Sequence, residues 1–83
     1  MLKVFSVFDS KAEAFLLPFF CVNRAVAVRN FASASQDDSS SFSRHGADFT
    51  LFEIGDFDPA SGSIVCYESK VSLGTALQAR GGE

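Results

Sequence analysis

Residues 2–8 alternate as a strand does. Leu2, Val4 and Phe8 fall on one face with Ser6, and Lys3, Phe5 and Val7 on the other. β-Branched and aromatic side chains favour extended chain here, and apolar residues on both faces predict a central position in a sheet. Asp9-Ser10-Lys11 ends the run with turn-forming side chains. Residues 15–22 are apolar again, but Pro18 has no N–H to offer a ladder. That stretch is expected at a sheet edge or as an irregular arm, with Leu17 biased away from helix.

The period then changes. Asn23 is set to cap a helix over Arg24–Ser35. Ala27, Val28, Phe31 and Ala34 or Ser35 form its apolar stripe, Arg24 and Asn30 face away, and Val22 with Ala27 makes a weak hydrophobic staple. Residues 36–43 are polar and serine-rich, fitting a solvated loop or one helical turn started by Asp38. Phe42 is expected to tuck this segment onto the body, and Gly46 to end it as a C′ glycine.

Residues 48–57 read as a second strong strand. Thr50, Phe52 and Ile54 share one face; Phe49, Leu51, Glu53, Gly55 and Phe57 share the other. Gly55 marks a bulge or a close backbone approach. The turn from Asp58 through Pro59 to Gly62 makes a hairpin, with residues 63–68 as the return strand. Residues 71–78 are expected to form a short helix capped by Ser72 and weakened by Gly74, and residues 80–83 a frayed tail. The sum is an α+β fold in a single domain over 1–83. A small antiparallel sheet of three to four strands packs against one main helix, with a short C-terminal helical element.

Composition sharpens this picture. A chain of 83 residues buries only about 60–65% of its unfolded surface, yet this one has ten Phe, each contributing about 1.5–3 kcal/mol when buried. The surplus predicts that some Phe lie on a subunit or partner surface, with Phe15, Phe19 and Phe20 of the arm as candidates for a homodimer or adaptor interface. The net charge is −3, which argues against bulk non-specific binding to nucleic acid. It is unevenly spread. Residues 1–35 carry Lys3, Lys11, Arg24 and Arg29 against Asp9 and Glu13, whereas residues 36–83 are strongly acidic. Single-strand binders combine cations with aromatic rings on which bases stack. Lys3, Phe5, Lys11, Arg24 and Arg29 are therefore the candidate nucleic-acid contacts, set against the alternative that Phe5 is core and the cations are simply solvated.

Catalytic chemistry finds little to work with. The one histidine, His45, sits in a polar loop, and Ser43, His45 and Asp48 make a nominal triad without specificity. The carboxylate pairs Asp37-Asp38 and Asp56 with Asp58 suit turns and caps better than a cation. No phosphate-binding loop, dinucleotide fingerprint or Cys/His cluster is present, so neither an enzyme, a metal nor a cofactor is expected. Cys21 and Cys66 are read as free, buried thiols. No leader follows Met1 and the longest apolar run is broken by Pro18, so a cytoplasmic protein with no membrane contact is expected.

A longer string of motifs then stands out. Residues 4–14, Pro18-Phe19-Phe20, residues 27–31, residues 48–58, Gly62 and residues 72–77 follow one another in an order that resembles the small non-structural protein of gokushoviruses, single-stranded-DNA microviruses of bacteria. Only residues 36–43 depart, being more serine-rich. The resemblance implies an early viral protein of the bacterial host cytoplasm, absent from the mature virion. It would act in single-stranded-DNA replication or packaging by binding single-stranded DNA or the viral replication protein. It brings no catalytic residues. The alternative is an adaptor or homodimeric host-directed regulator without DNA contact.

Overall fold

The first strand is the axis of the fold. In a computed structural model describing residues 1–81, β1 (Leu2–Asp9) lies between β4 (Phe49–Asp58) on one side and the short strands β2 (Ala14–Phe15) and β3 (Phe19–Cys21) on the other. β5 (Ser63–Thr75) pairs with β4, so the sheet has five strands, and every pairing is antiparallel. The expected count of three to four strands falls short because Pro18 divides the arm. β2 and β3 are two pieces of one edge, and the chain between them leaves the ladder. β1 is central, as its two apolar faces require.

The expected main helix is α1 (Arg24–Ser35), with the Asn23 side chain accepting the Val26 N–H at 2.9 Å. Its far end is closed by the Ser40 hydroxyl, which donates to the Ala34 carbonyl at 2.7 Å. Ala27, Phe31 and Ser35 are buried against the sheet. Val22 is 67% exposed, so the staple is not made. Arg24 and Asn30 do not simply face away either. Arg24 reaches Glu53 on β4 and Asn30 reaches the Cys21 sulfur on β3.

The serine-rich segment yields α2 (Ser41–Arg44), capped by Ser40 rather than Asp38. Phe42 anchors it as expected, meeting Phe31 at 5.4 Å and Phe49 at 4.9 Å in edge-on contacts. Gly46 is not a left-handed C′ residue; it opens a 3₁₀ turn, Gly46–Asp48. Glycine stands there because a Cβ would lie 2.9 Å from the Leu77 backbone nitrogen.

The C-terminal expectation needs most correction. β5 continues to Thr75, through the residues read as a helix start, and α3 (Ala76–Gly81) begins later. Its start is a reciprocal capping box. The Gln78 N–H donates to the Thr75 hydroxyl at 3.1 Å and the Thr75 N–H to the Gln78 side-chain oxygen at 2.8 Å. Arg80 and Gly81 belong to α3 rather than to a frayed tail, and residues 82–83 lie outside the described residues. Phe5, Val7, Cys21, Ala27, Phe31, Phe49, Leu51 and Ala76 form the core, so all three helices cover the same face of the sheet. Among the described residues no helix is long and apolar enough to cross a membrane.

Candidate functional site: an uncovered aromatic sheet face

The opposite face of the sheet carries no helix among the described residues. Register decides what it presents. Leu2 stands opposite Phe57, Ser6 opposite Phe52, Val4 opposite Phe20 and Phe8 opposite Phe15, and directly opposed residues share a face. Phe8, Phe15, Phe20, Phe52 and Phe57 therefore coat the uncovered side. Phe8 meets Phe15 at 4.9 Å, Phe15 meets Phe52 at 5.6 Å, and Phe20 meets Phe57 at 5.3 Å between ring centroids. Phe15 and Phe20 remain 41% and 43% exposed. Beneath these rings Val4 and Ser6 are buried, and the Ser6 hydroxyl donates to the Leu16 carbonyl at 2.7 Å. On the β5 side the face continues through Ile64 and Cys66, opposite Phe57 and Gly55.

Two irregularities interrupt these ladders, and the one in β4 changes which side chains reach this face. Ile54 is an extra residue of β4 against β1, and residues 67–70 of β5 stand against Ile54 alone. Such bulges redirect side chains. Phe57 and Gly55 are thereby moved off the face of Leu51 and Glu53, where strict alternation puts them, and onto the uncovered face. Gly55 permits the crossing, since a Cβ would lie 2.5 Å from the Val65 carbonyl oxygen. β5 keeps its alternation across this widened stretch, with Tyr67 on the helix side like Val65 and Val71, and Lys70 on the other like Cys66 and Ser72. The Lys70 ammonium lies 5.8 Å from the centroid of the Phe15 ring, within cation–π reach.

Charge is segregated along β1 and β4. Asp9 stands opposite Phe49, Glu53 opposite Phe5, Asp56 opposite Lys3, and Asp58 two places beyond Asp56, so the acids of β1 and β4 all lie on the helix side. There they build a cluster. Arg24 Nε donates to Glu53 Oε1 at 2.7 Å, the Tyr67 hydroxyl to Glu53 Oε2 at 2.5 Å, and Lys3 Nζ to Asp56 Oδ1 at 2.9 Å. Burial raises the Glu53 carboxyl, but the Tyr67 hydroxyl and the Arg24 guanidinium outweigh it and hold the group below its usual value. The hydrogen bond from Lys3 lowers Asp56, and the same contact raises Lys3. Donation to Glu53 raises the Tyr67 phenol.

The residues expected to touch nucleic acid are thus dispersed. Phe5 is 0% exposed in the core and offers no ring to a base, because its strand position faces the helices. Lys3 and Arg24 are committed to Asp56 and Glu53. Arg29 is exposed on α1, and Lys11 is exposed in the β1–β2 turn, at the opposite end of β1 from Lys3. Of the expected interface residues, Phe15 and Phe20 are on the uncovered face, but Phe19 stacks on Phe5 at 5.8 Å. Phe19 also lines an apolar groove of about 240 Å³ with Leu16, Leu17, Asn30, Phe31 and Phe42. Of the thiols expected to be buried, Cys21 is and Cys66 is exposed. His45 is exposed at the end of α2. Sequence reasoning passed over Phe8, Phe52, Phe57 and Lys70. Alternation along the strands finds Phe8, Phe52 and Lys70, whereas Phe57 depends on the bulge in β4.

A family model described as Phage ORF5 protein matches residues 2–79. No curated protein and no solved structure matches the chain.

Proposed function

This chain belongs to the Phage ORF5 protein family, and from that premise we propose that it is a non-structural accessory protein of a gokushovirus-type microvirus. In this reading it serves single-stranded-DNA replication or packaging in the host cytoplasm and acts by binding rather than by catalysis. The observation that carries the reading is the uncovered sheet face. It combines partly exposed aromatic rings with a lysine and keeps the acids of β1 and β4 behind the sheet. Bases stack on such rings whatever their sequence. A net charge of −3 does not oppose this contact where Asp56 and Glu53 are paired with Lys3 and Arg24 on the far side.

Fluorescence anisotropy with labelled single-stranded and duplex oligonucleotides at low and moderate salt tests the reading. Single strands are expected to bind and duplexes to bind far less, because paired bases cannot stack on a protein ring. Few cations face the strand, so the logarithmic salt slope is expected to be shallow, about −0.7 to −1.4 for one or two phosphate contacts. Absence of single-strand binding, with capture of the viral replication protein or self-association instead, replaces this reading by the adaptor one.

A further inference from the structure

Resting on the single-strand reading above, we infer that the uncovered face has two separate base-stacking stations, and that its ligand is a stretch of single strand spanning three nucleotides with a base on each outer position. The rings do not form one continuous surface. Phe8, Phe15 and Phe52 touch one another at one end of β1, and Phe20 touches Phe57 at the other. In the rows between them the register places only Val4, Ser6 and Gly55 on this face, none of which brings a ring. Phe15 is opposite Phe8 and Phe20 opposite Val4. At the strand rise of about 3.3 Å per residue the β1 positions that hold the two exposed rings are about 13 Å apart. An unstacked single strand spaces its bases at up to roughly twice the 3.4 Å stacked rise. The gap is therefore two nucleotide steps, and the middle base has no ring beneath it.

Lys70 gives the stations different chemistry. Its ammonium covers the Phe15 ring, so a base entering there displaces it toward the adjoining phosphate. Lys11, exposed in the turn between Asp9 and Ala14, stands at the same end. The Phe20–Phe57 station is remote from both. Salt sensitivity is thus expected to reside at the Phe15 end and pure stacking at the Phe20 end.

The test titrates the full chain with oligothymidylates of increasing length and with trinucleotides carrying an abasic site at one position. Expected is a steep gain from the dinucleotide to the trinucleotide, no loss for an abasic middle position, and about a tenfold loss for an abasic end. Phe15→Leu and Phe20→Leu each keep an apolar side chain but remove the ring, and are expected to lose about tenfold on the intact trinucleotide. An abasic end at the matching station adds no further loss, and Phe15→Tyr or Phe20→Tyr restores binding. Lys70→Ala flattens the salt dependence. A smooth rise with length, or an abasic middle as harmful as an abasic end, overturns the two stations while leaving single-strand binding intact. Failure of long single strands to bind overturns both. So does light scattering that reports a dimer dissociated by Phe15→Leu, which makes the face a contact between copies.

Discussion

Replacing Tyr67 by Phe deletes one oxygen from the cluster that ties β5 to β4, β1 and α1. The lost hydroxyl donates to Glu53 Oε2 at 2.5 Å and reaches Asp56 Oδ1 at 3.3 Å. Glu53 keeps only 4% of its side chain exposed, so water does not readily replace the donor. A hydrogen bond to a charged group is worth about 1.5–3 kcal/mol, and an unsatisfied buried acceptor costs more than a shared one. Arg24 still holds the other oxygen at 2.7 Å, but with 56% of its own side chain exposed, which places the expected loss near the middle of that range, about 2 kcal/mol at neutral pH. Domains of this size hold about 4–12 kcal/mol in all, and each kcal/mol is about 4–8 °C of melting temperature, so a fall of about 8–16 °C follows. The effect has a pH signature. A carboxyl held low in the folded state contributes stability above its ordinary pKa and loses it as pH falls through the folded value. Tyr67 is one of the groups holding Glu53 low, so the gap between wild type and Tyr67→Phe must narrow on acidification from about pH 7 to about pH 3. Urea unfolding at both pH values measures it, with unchanged m-values marking a pure stability effect. A loss below about 0.5 kcal/mol at neutral pH, or a gap that does not shrink in acid, refutes the argument.

Two further changes probe the backbone and the thiols. Gly55→Ala places its Cβ 2.5 Å from the Val65 carbonyl oxygen, where no flexible side chain gives way, and is expected to cost about 3 kcal/mol or to prevent folding. Gly62→Ala has open space but a φ of 77° and is expected to cost about 1–2 kcal/mol; thermal unfolding that ranks the two equally removes the close-approach explanation. Cys66 is exposed and Cys21 is 7% exposed. A thiol reagent should therefore modify Cys66 in a fast phase that Cys66→Ala abolishes, and Cys21 only as the fold opens. A single phase with both thiols equally fast contradicts this packing.

Local signals made much of the fold legible. Asn23 before an apolar stripe gave α1 its boundaries, and Pro18 broke the arm where an unpaired nitrogen is tolerated. The Asp58–Gly62 turn closed the hairpin as its residues demand: Gly62 takes a positive φ, and the Asp58 carboxylate accepts from the Ala60 N–H. What stayed hidden depends on distant partners. Ser72, Leu73 and Gly74 have the composition of a weak helix start, but β4 supplies them a ladder, and the capping pair that starts α3 is Thr75 with Gln78. Arg24 reads as a solvated helical residue until Glu53 arrives from a strand far along the chain.

The aromatic face was hidden for the same reason that it exists. Strict period-two alternation along residues 48–57 puts Phe57 and Gly55 with the core, and a sheet built that way leaves the Phe20 ring without Phe57. The extra Ile54 shifts the phase of β4, whereas β5 keeps its alternation, so Tyr67 and Lys70, three residues apart, face opposite sides. The shifted phase of β4 thus brings Asp56 opposite Lys3 behind the sheet and furnishes the uncovered face with its second ring pair. Removing the extra residue is expected to leave both faces in place, because the ladder on either side of it is already in register. A variant lacking Ile54 joins Glu53 directly to Gly55, which keeps Phe57 opposite Leu2 on the uncovered face and Asp56 opposite Lys3 on the other, so it is expected to fold and to keep its single-strand affinity at the Phe20 station. If such a variant loses that affinity while its backbone amide shifts report a regular β4, recognition depends on the local shape of the bulge, and the face a residue occupies does not by itself account for binding.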